Sequence, residues 1–275
     1  MLVPAPCIFG RIKAADNQNQ EIHDRIAAIY WNRIGGEKDD TKFDLSMATI
    51  FFVKTRTGCF GITNCHVYDG YNNATKDGWF RMETYINSVP VELDYKHISH
   101  DDYLDLATFR FDEQEIKSFG VKLFDYSRGE WAIQEIIQSD EIAFSGFPLG
   151  RRYIEGQDDG QEQLQVYVDK LVKIGKVNTL SKDKISTVWE WDDRRISAGN
   201  RFYTNTTPLP QVFDCGGFSG GPLMFRSKKR HIADGWELGG VIFEGQPLSD
   251  IGPDLFYATP IRFINESGMI ERDFF

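Results

Sequence analysis

The chain of 275 residues is 41% hydrophobic and 26% charged, the composition of a soluble globular protein with one large or two small domains. Its formal net charge of −10 argues against nucleic-acid binding, which needs a basic surface, and offers no attraction to an anionic membrane. No run of 18 apolar residues occurs, so the sequence also predicts no membrane-spanning helix.

The first 20 residues lack the basic segment followed by an apolar segment that marks a signal peptide. Taken as the native start of the chain, they predict a cytoplasmic protein. In that compartment cysteines stay reduced, so we expect four free thiols, at Cys7, Cys59, Cys65 and Cys215.

Near the N-terminus, Ile22, Ile26, Ile29 and Tyr30 follow a helical spacing, which predicts a short amphipathic helix over residues 21–33. From Leu45 onward the pattern changes to short apolar and β-branched runs that alternate with glycine and proline turns. These runs predict strands, at residues 47–53, 59–63, 79–86, 89–93, 106–111, 141–146, 166–172, 174–177, 223–226 and 236–243.

Two further segments interrupt this pattern. Residues 151–163 are polar and contain two glycines, which predicts a linker or a mobile loop, and residues 260–270 predict a closing helix. Many short strands separated by turns are typical of an all-β sandwich or barrel.

A serine surrounded by glycines suggests a nucleophile, in Gly217-Phe218-Ser219-Gly220-Gly221-Pro222. Because glycine has no side chain, the backbone N–H groups around it can point at a developing oxyanion. A serine hydroxyl is a weak nucleophile unless a nearby base removes its proton. His66 follows the apolar run that ends at Thr63, and Asp105 directly precedes another. The order His, Asp, Ser is one of the known orders of a hydrolytic triad.

With these motifs the chain resembles the chymotrypsin-like serine proteases. Gly217 to Pro222 is similar to the family's G-x-S-G-G-P motif, and Asp105-Leu106-Ala107 is similar to its D-I-A motif. Ile62-Thr63-Asn64-Cys65-His66-Val67 resembles the histidine motif of the intracellular and periplasmic bacterial branches. With weaker matches at residues 146–150 and 258–261, the resemblance covers roughly residues 45 to 265.

The resemblance implies an all-β fold of two six-stranded β-barrels with the active site in the cleft between them. We expect residues 1–44 to form the N-terminal helix and lead-in. Residues 45–150 would form the first barrel, with His66 and Asp105. Residues 151–275 would form the second barrel, with Ser219, and the C-terminal helix.

The resemblance also assigns roles to these residues. Ser219 would be the nucleophile, His66 the general base and then the acid, and Asp105 the group that orients the imidazole. The backbone N–H groups of Gly217 and Ser219 would form the oxyanion hole. The implied activity is hydrolysis of peptide bonds through an acyl-enzyme, without metal or cofactor. The partner implied by the resemblance is a protein or peptide substrate. Because a free protease in the cytosol endangers its host, we also expect control by a regulatory protein or by a stress or antiviral signal.

The family's specificity pocket maps to two segments of this chain. Phe213, six residues before the nucleophile, would lie at the base of the pocket, next to Asp214. The segment Ile242-Phe243-Glu244-Gly245 would form the opposite wall. The two carboxylates favour a basic substrate side chain, while an Asp214 that points away would leave a shallow apolar pocket; both interpretations stay open.

Other functions fit the sequence less well. Residues 97–102 (His-Ile-Ser-His-Asp-Asp) contain metal-ligand types, but they lack the partners of a known zinc motif, so a solvated loop is preferred. An α/β-hydrolase needs its acid and histidine well after the serine, and here His231 is the only later histidine. The remaining alternative is a catalytically silent binding module of the same fold.

Overall fold

The computed structural model of the chain describes residues 24–34, 43–76, 81–129, 131, 141–147, 152–156, 164–168, 171–189, 217–226, 236–247 and 254–272. This part of the chain is mostly β, as expected from the short alternating runs. No helix within it is long and apolar enough to cross a membrane.

The N-terminal half forms one open sheet. Its strands are β1 (Ile26–Ile34), β2 (Phe43–Thr55), β3 (Gly58–Thr63), β4 (Arg81–Ile86), β5 (Val89–Pro90), β6 (His97–Asp101), β7 (Leu106–Phe111) and β8 (Phe124–Asp125). They lie in the order β5-β4-β1-β2-β3-β7-β6, and β8 pairs with β2 in parallel. Strand β5 has two residues, one of them a proline, which donates no backbone hydrogen bond and suits an edge.

Strand β2 is buried on both faces of this sheet. Its residues Phe51 and Val53 share a core cluster with Met224 and Val241 of the C-terminal half. On the other face, the neighbours of Phe52 include the buried residues of two helices, α1 (Cys65–Lys76) and α2 (Glu113–Ser118). A strand covered on both sides has a continuous apolar sequence instead of an alternating one.

The C-terminal half contains a closed barrel, in the order β12-β13-β16-β15-β14-β9. Its strands are β9 (Glu141–Gly146), β12 (Leu171–Leu180), β13 (Ile185–Trp189), β14 (Pro222–Arg226), β15 (Trp236–Pro247) and β16 (Asp254–Pro260). Between β9 and β12 the chain forms a separate hairpin of β10 (Arg152–Gly156) and β11 (Leu164–Val168). Phe218 lies in the barrel core, where its ring contacts those of Phe144 and Phe256.

Of the two six-stranded barrels expected, the one in the C-terminal half is confirmed. In the residues described, the N-terminal half is an open sheet. Strand β9 belongs to the barrel although it precedes residue 150. The division into units at residues 44 and 150 stays a prediction.

The helix expected over residues 21–33 is wrong from Ile26 onward, and residues 21–23 lie outside the described part. Residues 26–34 form β1, which pairs with both β2 and β4. Residues 26–31 are all buried, so this part of the strand has no exposed face. In such a sequence isoleucines three or four positions apart fit a helix and a doubly covered strand equally well.

The C-terminal helix is also wrong. Residues 261–263 form one turn of 3-10 helix, after which Ile264 and Ile270 pair in an isolated bridge. Gly268, with φ +84°, interrupts any helix there. The segment packs on the open sheet instead, where Thr108 Oγ1 donates to the carbonyl of Gly268 at 2.6 Å. The loop predicted over residues 151–163 is likewise wrong for residues 152–156, which form β10.

Candidate active site

His66 is placed by the corner between β3 and α1. Strand β3 is buried over its last four residues and ends at Thr63, and α1 begins two residues later. His66 therefore lies in the first turn of a helix whose next residues, such as Val67 and Tyr71, pack into the core. Its side chain is 51% exposed, so the ring is held at the surface by a rigid corner.

Asp105 lies opposite His66 in the turn between β6 and β7. One carboxylate oxygen, Oδ1, accepts the backbone N–H of His66 at 2.9 Å, and Oδ2 lies 2.7 Å from Nδ1 of the same histidine. An ionised carboxylate only accepts hydrogen bonds, so this pair assigns the ring proton to Nδ1. The lone pair of Nε2 is then free to take a proton.

The conformation of Asp105 is unusual. Its φ is +50°, in the left-handed region that L-residues other than Asn, Asp and Gly adopt only rarely. The side chain is 21% exposed, and Leu106 and Ala107 beyond it are fully buried in β7. The carboxylate therefore faces the histidine from the end of a fixed strand.

Ser219 lies in a turn that only glycines can form. Gly217 and Gly220 have φ values of +88° and +82°. A Cβ on Gly220 would lie 2.1 Å from the carbonyl oxygen of Thr49, and one on Gly221 would lie 2.0 Å from that of Ser145. The glycines of the motif are thus required by backbone conformation and by close packing.

Both halves of the molecule hold this turn. From β2, Thr49 donates through Oγ1 to the carbonyl of Gly217 at 2.6 Å and through its N–H to that of Ser219 at 2.9 Å. From β15, Ile242 accepts the N–H of Gly220 at 2.9 Å and donates to Gly221 at 2.8 Å. Hydrogen bonds from the open sheet and from the barrel therefore hold the turn in place.

The same contacts set Ser219 near the histidine corner. Thr63, the last residue of β3, donates to the carbonyl of Thr49 at 2.8 Å, and its hydroxyl would lie 2.2 Å from a Cβ on Gly220. Ser219 thus adjoins the end of the strand that leads to His66. The structure brings His66 and Asp105 into direct contact, whereas no hydrogen bond joins the described side chains of Ser219 and His66.

The two backbone donors expected at an oxyanion hole make no hydrogen bond within the part of the chain that the structure describes. The N–H groups of Gly217 and Ser219 have no acceptor among the described residues, although the neighbouring N–H groups of Gly220 and Gly221 are both bonded. Two N–H groups without a described acceptor, beside a partly exposed serine, suit an anionic oxygen.

The expected specificity pocket is described on one side only. Phe213 and Asp214 lie outside the described residues. On the other side, Ile242 is buried, while Phe243, Glu244 and Gly245 are partly exposed along β15. The role of these residues stays a prediction.

Beside His66, the thiol of Cys65 is buried and donates to a carboxylate oxygen of Asp102 at 3.1 Å. Burial raises the pKa of Cys65, and the hydrogen bond to Asp102 raises it further, so the thiol keeps its proton. Asp69 adds a third ligand-type atom, all three lying within 4.8 Å of one another. The contact between Cys65 and Asp102 is therefore a hydrogen bond from a protonated thiol to a carboxylate.

The solvated loop expected over residues 97–102 is wrong, because residues 97–101 form β6, which pairs with β7. Local packing accounts for its two histidines. His100 Nδ1 and His97 Nε2 lie 3.0 Å apart, and the ring of His97 stacks on Tyr68 with centroids 4.6 Å apart. Burial lowers the pKa of His97, and the nearby His100 lowers it further.

Sequence reasoning missed Thr49 and Thr259 and gave Asn64 no role. Asn64 donates to the carbonyl of Asp105 at 2.8 Å, and Thr259 donates to that of Leu104 at 2.7 Å. Thr259 is 155 residues from its acceptor, so no local spacing reveals the pair. For Asn64, its position two residues before the candidate histidine was a local signal of a role in the site.

Comparison with known proteins adds little to the description of this site. No family model matches the chain, and no curated protein matches it. Solved structures do match. One is a thermostable serine protease, AL20, from an extremophilic microorganism, 11% identical over 86% of this chain and 91% of that chain, with a TM-score of 0.44.

A second matching structure comes from work on the coupled folding and binding of the Sesbania mosaic virus VPg protein. It is 13% identical over 86% of this chain and 87% of that chain, with a TM-score of 0.42. Both scores are below 0.5, so neither likeness bears on the chemistry of the site described above.

Proposed function

We propose that the protein is a serine endopeptidase that hydrolyses peptide bonds through an acyl-enzyme. The observation that carries this proposal is the double hydrogen bond from Asp105 to the backbone N–H and the ring Nδ1 of His66. It fixes both the position and the tautomer of the imidazole, which a general base requires. The glycine turn with Ser219 adjoins the same corner.

In this mechanism Nε2 of His66 takes the proton from Oγ of Ser219 as the oxygen attacks the scissile carbonyl. The N–H groups of Gly217 and Ser219 stabilise the resulting oxyanion, each contributing about 3 kcal/mol in the transition state. His66 then protonates the leaving amine. Water repeats the sequence on the acyl-enzyme and releases the acid.

Because the side chains of His66 and Ser219 are not hydrogen-bonded, the attack requires a side-chain rotation. A partly exposed serine and a half-exposed imidazole have room to rotate. Catalytic hydrogen bonds are often absent before substrate binds and tighten in the complex.

The substrate in this proposal is a protein or peptide, with a basic side chain before the scissile bond where Asp214 and Glu244 both face the pocket. The enzyme would act in the cytoplasm, without a cofactor or metal. Because an unregulated protease endangers its cell, we include control by a partner or signal in the proposal.

The decisive experiment is labelling by a fluorophosphonate, which reacts with activated serines whatever the substrate. We expect one label, on Ser219, in the wild-type protein and none in Ser219→Ala or His66→Ala. The surface variant Ser118→Ala, on α2, is the matched control and should label like wild type. A folded protein that stays unlabelled would support the silent binding module instead.

A further inference from the structure

The turn that carries Asp105 is held by two buried side chains as well as by His66. Asn64 Nδ2 donates to the carbonyl of Asp105 at 2.8 Å, and Thr259 Oγ1 donates to the carbonyl of Leu104 at 2.7 Å. Asn64 is fully buried and Thr259 is 2% exposed. The two bonds come from different parts of the molecule, since Asn64 follows β3 and Thr259 belongs to β16 of the barrel.

These two carbonyls define the backbone conformation of Asp105. The carbonyl of Leu104 lies in the peptide plane before Asp105, and the carbonyl of Asp105 lies in the plane after it. The orientations of the two planes set φ and ψ of the residue between them. The φ of +50° at Asp105 is unfavourable for an L-residue, so without these two bonds the backbone would relax to a negative φ. That change would move the carboxylate away from His66.

We propose that Asn64 and Thr259 are positioning residues that hold Asp105 in the left-handed conformation in which its carboxylate meets Nδ1 of His66. Thr259 gives this arrangement a second consequence. It belongs to the barrel that also supplies Ser219, so the histidine–aspartate pair is fully oriented only while that barrel is docked on the open sheet. This inference rests on the proposed protease function for its kinetic consequences and on the hydrogen bonds alone for its structural ones.

The test replaces Thr259 by valine, which has the same shape and no hydroxyl, and by serine, which keeps the hydroxyl. Thr187→Val is the matched control: Thr187 is buried in the same barrel and donates to the carbonyl of Lys176 at 2.9 Å, a bond that lies within the barrel. Two readouts are needed. One is fluorophosphonate labelling, resolved into its maximal rate and half-saturating concentration; the other is the proton NMR signal of the Nδ1–H of His66.

In Thr259→Val we expect the maximal labelling rate to fall on the order of 10- to 100-fold with little change in the half-saturating concentration, because a displaced catalytic group affects the reaction more than binding. The downfield Nδ1–H signal should move upfield or broaden. Thr259→Ser should restore both. Thr187→Val should lower the melting temperature and leave both readouts unchanged.

A Thr259→Val protein that melts earlier but keeps the wild-type rate and signal would show that the bond is merely structural and would overturn the proposal. Should this variant not fold, Asn64→Ala removes the other bond and must shift the same two readouts. The signal separates this inference from the function: an unlabelled protein whose signal shifts in Thr259→Val fails as a protease and still supports the positioning role.

Discussion

The histidine–aspartate corner and the serine turn are built by different means. At the corner, side chains define the geometry: both carboxylate oxygens of Asp105 bond to His66. In the serine turn the backbone defines it, through positive φ at Gly217 and Gly220 and through carbonyls held by Thr49. Substitutions at the corner should therefore lower activity with little effect on stability, whereas substitutions of the glycines or of the contacts that hold the turn should lower stability as well.

The largest expected effect is that of Asp105→Asn on the rate of fluorophosphonate labelling. The asparagine amide presents a donor to Nδ1 of His66, which forces the wrong tautomer and leaves Nε2 protonated. We expect the labelling rate to fall about 10⁴-fold, by analogy with the same substitution in other triads. The melting temperature should change by only a few degrees, because the turn keeps its bonds to Asn64 and Thr259.

This result is checked by measuring the labelling rate and thermal unfolding on the same preparation. Asp112→Asn, which changes the carboxylate that caps α2 away from the site, is the matched control for the loss of one acidic group. A rate within tenfold of wild type in Asp105→Asn would contradict the assigned role of Asp105.

The next effect concerns the fold. Gly220→Ala places a Cβ about 2 Å from the carbonyl of Thr49 at a positive φ, so it should cost about 3–5 kcal/mol in unfolding free energy from strain and overlap together. Gly120→Ala is the matched control, because Gly120 has φ +71° and open space around it. It should cost only about 1 kcal/mol. Urea unfolding measures both, and equal costs would show that close packing at Gly220 is unimportant.

The same contrast explains how far the sequence could predict the molecule. Glycines at fixed positions around Ser219, and an apolar run before His66, are local signals that the backbone itself requires, so the motifs identified these residues. In strand β1, residues 26–31 do not alternate between apolar and polar because both faces are buried there, and the spacing of their isoleucines also fits a helix.

What the sequence could not reveal are the bonds between distant segments. Thr49 and Gly217 are 168 residues apart, and only the docking of the barrel on the open sheet brings them together. The open first sheet is a further example. Whether a sheet closes depends on how its edge strands pair, and in the described residues the edge strands β5 and β6 do not pair with each other.

A smaller effect should follow from Thr49→Val, which removes the donor to the buried carbonyl of Gly217. A buried acceptor without a partner costs about 1–3 kcal/mol, so the unfolding free energy should fall by that amount and labelling of Ser219 should slow. Thr84→Val is the matched control: its buried hydroxyl has no partner among the described residues, so the change should be neutral or stabilising. Equal losses in the two variants would refute the special role of Thr49.

The smallest effect concerns an ion pair next to the Asp105 turn. Arg272 donates through Nε and Nη2 to Asp101 at 2.5 and 2.9 Å, and Asp101 also accepts the N–H of Leu104 at 2.9 Å. Burial opposes ionisation of Asp101, but Arg272 and the backbone N–H groups together outweigh it and lower the pKa of this carboxyl. The folded state therefore gains stability from this group above the unfolded pKa, near 3.9, and loses it as the pH falls through the lower folded value.

Arg272→Met should consequently lower the urea midpoint at pH 7 by less than Thr49→Val does, because the guanidinium is largely exposed and solvent screens the pair. The difference between wild type and variant should shrink as the pH is lowered from 5 towards 2, because protonation of Asp101 removes the charge that Arg272 binds. Arg110→Met, at an exposed arginine with no ion pair among the described residues, should give no pH-dependent difference. A difference in urea midpoint between wild type and Arg272→Met that stays constant from pH 7 to 2 would contradict the role of its charge on Asp101. It would mean that the Arg272 side chain stabilises the protein by packing on Tyr103, with the guanidinium 5.2 Å from the centre of that ring.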